Sequence, residues 1–288
     1  MKKKWLKIGA FVLALGLLLG IGWFANSLMG NPVSEHLARK TAEDYLGEVY
    51  YEKDFYIESI NYSFKDGNYY AHVESSTSED SSFTLSMDGF GALLWDSYES
   101  RVLLGQNTSD RLYKEYRALT DAVFEGPFYP FTSFIAYGEL EFITKAYIQK
   151  GEIISEHAIV TEELELDKEY DIRELGAKAG HLVVYVEDDT VTVERAAEVL
   201  LELKYLMDTS GVPFYCIEFV LEYPRLEEGG TSKEGRVETM DFLYADIYEE
   251  GMVERVRVAN EEAMAYHAEQ DAIMQKQLEE IEKNEKQN

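Results

Sequence analysis

An unbroken apolar run from Ile8 to Ala25 follows Lys2, Lys3, Lys4 and Lys7, and no later stretch of the chain repeats this pattern. Eighteen residues at about 1.5 Å rise make about 27 Å of helix, close to the hydrocarbon thickness of a bilayer. Trp5 and Trp23 stand near the two ends, where indole rings favour the membrane interface. The run is therefore expected to be an uncleaved transmembrane anchor. A cleaved signal peptide is the main alternative, although Ala25-Asn26-Ser27 is a mediocre cleavage signal and no cysteine follows to carry a lipid; a buried soluble helix is a third. The lysines ahead of the run assign the N-terminus to the cytoplasm and residues 31–288 to the extracytoplasmic side of the cell membrane. Gly16 and Gly20 form a GxxxG within the run, the motif through which two anchors could pack into a homo-oligomer.

Beyond the run, the period of the apolar positions changes from element to element. Leu37, Ala38, Thr41, Ala42, Tyr45, Leu46 and Val49 recur at helical spacing and predict a helix to about Val49, with Ser34 as its N-cap. Residues Phe55 to Phe64 and Tyr69 to Glu74 are β-prone runs separated by Lys65-Asp66-Gly67-Asn68, a strong hairpin signal. Phe83 to Met87 alternates as a third strand, so one helix and a meander of three or four antiparallel strands are expected over 33–100. Thr108 or Ser109 can cap a second helix with Leu112, Tyr116, Leu119 and Val123 on one face. The helix stops at Gly126-Pro127, the expected domain boundary. His181 to Val186 reads as a central strand, and Thr192 as the cap of a helix to about Met207 that Gly211 and Pro213 end. Strands follow at Phe214 to Val220 and Val237 to Ile247, separated by a polar, glycine-rich loop over 225–236 that is expected to be mobile.

The expected fold class is thus α+β. The leader and anchor occupy 1–30, a first α+β domain 31–126, and a second 127–266 in β-α-β-β-α order. A charged tail, frayed helix or disordered, fills 267–288.

Composition sharpens this organisation. The chain has 288 residues with 27 Lys and Arg against 55 Asp and Glu, a formal charge of −28. The first 30 residues hold four lysines and no acid, so a +4 leader precedes a body of −32. Such a body repels phosphate backbones, which excludes nucleic acid as a partner and favours a cationic protein or peptide. One cysteine excludes an internal disulfide and a thiolate metal cage, and a hydrophobic share of 46% excludes a disordered chain.

Motifs that carry chemistry are missing. His36, His72, His157, His181 and His267 show no ligand spacing, and no GxSxG, GxxxxGK[ST] or GxGxxG motif occurs. Cys216 lies in a strand-like apolar run and is expected to fill the core. Glu187-Asp188-Asp189, Glu227-Glu228 and Glu249-Glu250 lack the alternating ligands and central glycine of a calcium loop, and the first of these sits where acids favour a helix dipole. The 21 tyrosines suit either a recognition surface or half-exposed sheets, and the latter is favoured. No catalytic, cofactor-binding or metal residue is assigned, and the chain is not expected to be an enzyme. The expected function is a membrane-anchored extracytoplasmic binding or regulatory protein, with a structural envelope oligomer or an enzyme with an unrecognised carboxylate site as alternatives.

Several segments resemble the YfjL-like proteins of Gram-positive bacteria. In the first half these are Asn31-Pro32-Val33-Ser34, Ala42 to Leu46, Tyr62 to Tyr70 and Thr108 to Leu119; in the second, Leu175 to Leu182, Pro213-Phe214-Tyr215 and Asp241 to Met252. The resemblance implies a single-pass, two-domain envelope protein of uncharacterised role and supplies no functional residues. The helix-then-meander order of the first domain is similar to PepSY-like and cystatin-like modules, a likeness of fold alone.

Overall fold

A computed structural model describes residues 2–150, 157–226 and 229–285. The chain forms two compact units, Met1–Ser109 with Thr161–Lys168, and Asp110–Val160 with Glu169–Asn288. Both are α+β.

In the first unit, α1 (Lys2–Met29) contains the apolar run. Among the described residues it is the one helix long and apolar enough to cross a membrane, with a window of mean hydropathy 1.9 and no burial. At its end the chain turns sharply at Gly30, which has φ +69°. A Cβ there would lie 2.6 Å from the Tyr69 hydroxyl, so a side chain has no room. Helix α2 (Pro32–Val49) follows at once. Its N-cap is Asn31, whose side-chain oxygen accepts from the Ser34 N–H at 2.8 Å. This moves the cap three residues upstream of the expected Ser34, because Pro32 occupies the first helical position, where its missing N–H costs nothing.

Strands β1 (Phe55–Tyr62), β2 (Tyr69–Ser75), β3 (Phe83–Met87) and β4 (Leu93–Asp96) form the expected antiparallel meander in the order β1-β2-β3-β4. Ala38, Ala42 and Leu46 of α2 pack over Ala71, Val73, Phe83, Leu85 and Met87. The small residues bring the helix close to the sheet, while Leu37 and Val49, expected on the buried stripe, are exposed. The turn between β2 and β3 buries Asp80. The Asp80 carboxylate accepts from the Thr108 hydroxyl at 2.9 Å and from the Asp167 N–H at 2.9 Å, and its own N–H donates to the Asp167 carboxylate at 3.0 Å. Segment Thr161–Lys168 is thereby tied into the first unit, although it is distant in sequence.

Helix α3 (Gln106–Phe124) begins before the expected caps, since Thr108 and Ser109 lie inside its first turn. The two units divide within this helix, upstream of Gly126-Pro127. In the second unit come β5 (Thr132–Leu140), the short β6 (Phe142–Ile143), α4 (Lys145–Gln149), the short β7 (Ile159–Val160) and α5 (Ile172–Ala179). Then follow β8 (Gly180–Glu187), α6 (Val193–Ser210), β9 (Cys216–Glu222), β10 (Arg236–Leu243) and α7 (Met252–Glu285). The four-stranded sheet has the order β10-β9-β8-β5. Strands β8 and β9 are parallel across the α6 crossover, and the outer pairs are antiparallel. The expected β-α-β-β-α order is β8-α6-β9-β10-α7, and Thr192 caps α6 by accepting from the Arg195 N–H. Within the loop expected to be mobile over 225–236, Arg225 bridges Thr231, and Glu227 and Glu228 lie outside the described residues. The tail expected to fray from 267 is helical to Glu285, with residues 286–288 outside the description.

One side chain organises the middle of this unit. Tyr116 of α3 is fully buried and donates its hydroxyl to the Pro213 carbonyl at 2.9 Å. A Cβ added at Gly176 would lie 2.5 Å from the Tyr116 ring and 2.7 Å from the Pro213 carbonyl, and one at Gly180 would lie 2.4 Å from the Tyr116 hydroxyl. The two glycines are thus the space that the tyrosine fills. Gly176→Ala is expected to destabilise the second unit by about 1–3 kcal/mol, because the backbone carbonyl cannot yield. Tyr116→Phe should cost about 1 kcal/mol for the lost hydrogen bond. Urea unfolding checks both, and equal midpoints for wild type and Gly176→Ala would refute the packing argument.

Candidate functional site

Four strand ends of the second unit meet at one edge of its sheet. Strands β8 and β9 start there, while β5 and β10 finish there. Glu141 follows the last residue of β5, and its backbone is held on both sides: its N–H donates to the Ala179 carbonyl at 3.0 Å and its carbonyl accepts from the Ile159 N–H at 2.8 Å. His181 is the second residue of β8 and pairs in register with Cys216, the first residue of β9. Strand β9 begins at this point because Gly211, left-handed at φ +66°, ends α6 and the Tyr215 N–H bonds the Gly180 carbonyl at 2.7 Å. Asp241 comes from an irregularity in β10, where Thr239 pairs with Phe219 but Phe242 pairs with Ile217. One extra residue bulges out, and Asp241 takes φ +46°, a conformation that aspartate tolerates better than most residues.

Glu141, His181 and Asp241 line a groove of about 720 Å³ walled by Phe142, Ile143, Tyr215 and Leu243, and Cys216 lies buried next to Tyr215. His181 Nδ1 lies 3.0 Å from one Glu141 oxygen, and His157 Nε2 lies 3.3 Å from the other. The His157 ring stacks on Tyr215 with centroids 4.0 Å apart, and its Nε2 is 3.8 Å from Cys216 Sγ. His181 Nε2 is 3.9 Å from the Asp241 carboxylate, too far to bond, and is buried without a hydrogen-bond partner. One donor atom each from Glu141, His181, Cys216 and Asp241 lies within 4.8 Å of all the others.

The local charges follow from this crowding. Burial opposes the His181 imidazolium, but the hydrogen bond and charge of Glu141, with the charges of Asp241 and Glu139, outweigh it and raise the His181 pKa above its ordinary value. Burial pushes the Cys216 thiol far up, and the carboxylates of Glu141 and Asp241 push it further. Cys216 is therefore a neutral thiol at neutral pH in the metal-free chain. It also does not complete a nucleophilic triad with His157 and Glu141, since one imidazole nitrogen, Nε2, faces both the sulfur and the carboxylate. A catalytic base must bond the two through opposite nitrogens.

The other candidates take structural places. Asp188 accepts from the Thr190 N–H at 2.8 Å and pairs with Arg195 at 2.9 Å, which locks the start of α6. Glu250 offers its backbone carbonyl to Arg255. Tyr45, Tyr50 and Tyr98 pack against the core of the first unit. A second groove, of about 670 Å³, crosses the first sheet beside Tyr70, His72 and Trp95, without a comparable cluster of donors among the described residues. Cys216 is buried, as expected of core filler, but its neighbours come from residues 141, 181 and 241, and no local spacing announces them. The lone cysteine near the start of a strand-like run is the sequence signal nearest to the site.

Models of two protein-family domains match the chain: the YfjL-like N-terminal domain over residues 2–96 and the YfjL-like C-terminal domain over 115–257. No curated protein matches it. A solved structure of a DUF5037 family protein from Ruminococcus gnavus ATCC 29149 is similar at 16% identity, covering 64% of this chain and 74% of that one. Its TM-score of 0.19 is too low to carry an argument about fold or function.

A disulfide reagent is expected to find no reactive thiol in the native, chelator-treated chain at neutral pH and one per chain after denaturation, because Cys216 is 0% exposed and protonated. Rapid labelling of the native chain would contradict this account of the site.

Proposed function

This chain belongs to the YfjL-like family, and on that premise we propose that it is a membrane-anchored, extracytoplasmic binding protein whose ligand site is the groove around His181. The observation that carries the anchoring is α1, a helix of 28 residues whose first six residues hold four lysines and whose exposed apolar run follows them directly. Exposed leucines and isoleucines in such number are stable in lipid and not in water. The lysine bias supports an N-terminus in the cytoplasm and residues 31–288 on the far side of the cell membrane.

Binding rests on the groove. It combines apolar walls with a few converging polar groups, the composition of a ligand pocket. Two carboxylates at its rim, within an acidic body, favour a positively charged ligand, whether free or presented by a protein or peptide. The helix-then-meander order of the first unit is consistent with a PepSY-like or cystatin-like module, which would make that unit an accessory binding domain. Catalysis is the second reading, favoured by the approach of the Glu141 and Asp241 carboxylates within 4.8 Å, and opposed by the neutral thiol and the shared imidazole nitrogen.

The full chain should sediment with membranes and resist an alkaline carbonate wash, whereas a chain lacking residues 1–30 should not. Protease added to intact protoplasts should digest the folded units. Recovery of the full chain in the soluble fraction, or complete protection from external protease, would refute the reading.

A further inference from the structure

The groove contains a donor set that its polar interactions leave incomplete. His181 Nε2 is buried and has no partner, although its other nitrogen is held by Glu141 at 3.0 Å. That pattern, one nitrogen fixed by a carboxylate and the other buried and unbonded among donors, is the usual arrangement of a metal-ligating histidine. The Cys216 sulfur and an Asp241 carboxylate oxygen lie within 4.8 Å of a His181 nitrogen and of each other.

We propose that His181 Nε2, Cys216 and Asp241 bind a single divalent transition-metal ion, of which zinc is the best chemical match, with Glu141 orienting His181 through its other nitrogen. The proposal deepens the reading of the groove as a ligand site and rests on it. Three donors within 4.8 Å of one another suit three corners of a tetrahedral ion, whose ligands at about 2.0–2.3 Å stand roughly 3.3–3.8 Å apart, so contraction by small side-chain movements closes the set and leaves the fourth corner for a ligand. The identities of the donors select the metal. A thiol sulfur and an imidazole favour zinc and its neighbours over calcium or magnesium, which require six or more oxygens. The donors also come from three different strands, β8, β9 and β10, whose backbones are locked by the sheet, so their mutual placement is determined by the fold and not by a flexible loop. Asp241 is the adjustable member. Its side chain is 69% exposed on the bulge of β10, where a rotamer change carries the carboxylate toward or away from the ion. His157 stands behind Cys216 and Glu141, stacked on Tyr215, and is placed to hold both by hydrogen bonds.

The test uses the full chain in detergent after chelator treatment. Titration with Co2+ should show one ion per chain, with a sulfur-to-cobalt charge-transfer band and the intense visible bands of tetrahedral cobalt, both displaced by Zn2+ and neither by excess Ca2+. Cys216→Ser should lose the sulfur band. Asp241→Asn, at an exposed position where folding is least at risk, should weaken Zn2+ binding at least about tenfold in competition with a chromophoric chelator. Asp189→Asn, exposed and outside the groove, should leave it unchanged. A folded wild-type chain without the sulfur band, or Zn2+ affinity unaltered by Asp241→Asn, overturns the site. Protoplast proteolysis separates the two readings. A protected chain that still binds one Zn2+ overturns the extracytoplasmic assignment alone, and a digested chain without the sulfur band overturns the metal site alone.

Discussion

Everything in the second unit that concerns chemistry hangs on the packing of Tyr116 against two glycines. The phenol is driven inward by its ring area and can be buried only because its hydroxyl reaches the Pro213 carbonyl. Gly176 and Gly180 yield their Cβ volumes to it, which fixes the end of α5 and the first residue of β8. Pro213 is three residues ahead of Cys216, and Gly180 is one ahead of His181. A single buried hydroxyl thus sets both the histidine and the cysteine in register. Burial raises the pKa of Tyr116 well above the ordinary phenol value, so the hydroxyl keeps its proton and can donate this hydrogen bond at neutral pH.

The periodic elements were legible because their signals are local. Helices α2, α3 and α6 declare themselves through apolar stripes, and the β1–β2 hairpin through Asp66-Gly67. The strand at His181 shows in an apolar run that only a central position could accommodate. Missed elements lacked such signals. Strand β5 carries Gly138, which reads as a breaker until Thr120 is seen packed against it and bonding its N–H at 3.1 Å. Helix α5 is only eight residues long with Gly176 inside it and Gly180 as its C-cap, and its N-cap, Asp171, accepts from two N–H groups without any sequence pattern that separates it from the surrounding acids. Asp80 is a polar turn residue in sequence and a buried hub in space, since its partners come from residues 108 and 167.

The candidate site was illegible for a related reason. Its donors at 141, 181, 216 and 241 span a hundred residues, and each has a bland explanation where it stands. Cys216 is a core residue by every local measure, and its burial agrees with that. What the sequence withholds is the crossover of α6, which lays β8 and β9 parallel and brings their first residues side by side. Motif searches look for ligands at fixed offsets on one element, and a site assembled from strand ends presents none.

The joint at Gly30 has a mechanical meaning. Asn31 is held by the Tyr69 hydroxyl through its N–H at 2.8 Å and its carbonyl at 3.2 Å, and the Tyr62 hydroxyl bonds the Ser27 carbonyl at 3.0 Å. Helix α1 is therefore clamped to the sheet with no slack between them. Were α1 seated in a bilayer, the first unit would have no tether on which to search the space above the membrane. It would ride as a rigid cap on the headgroups, and any tilt of the helix would become a tilt of the sheet.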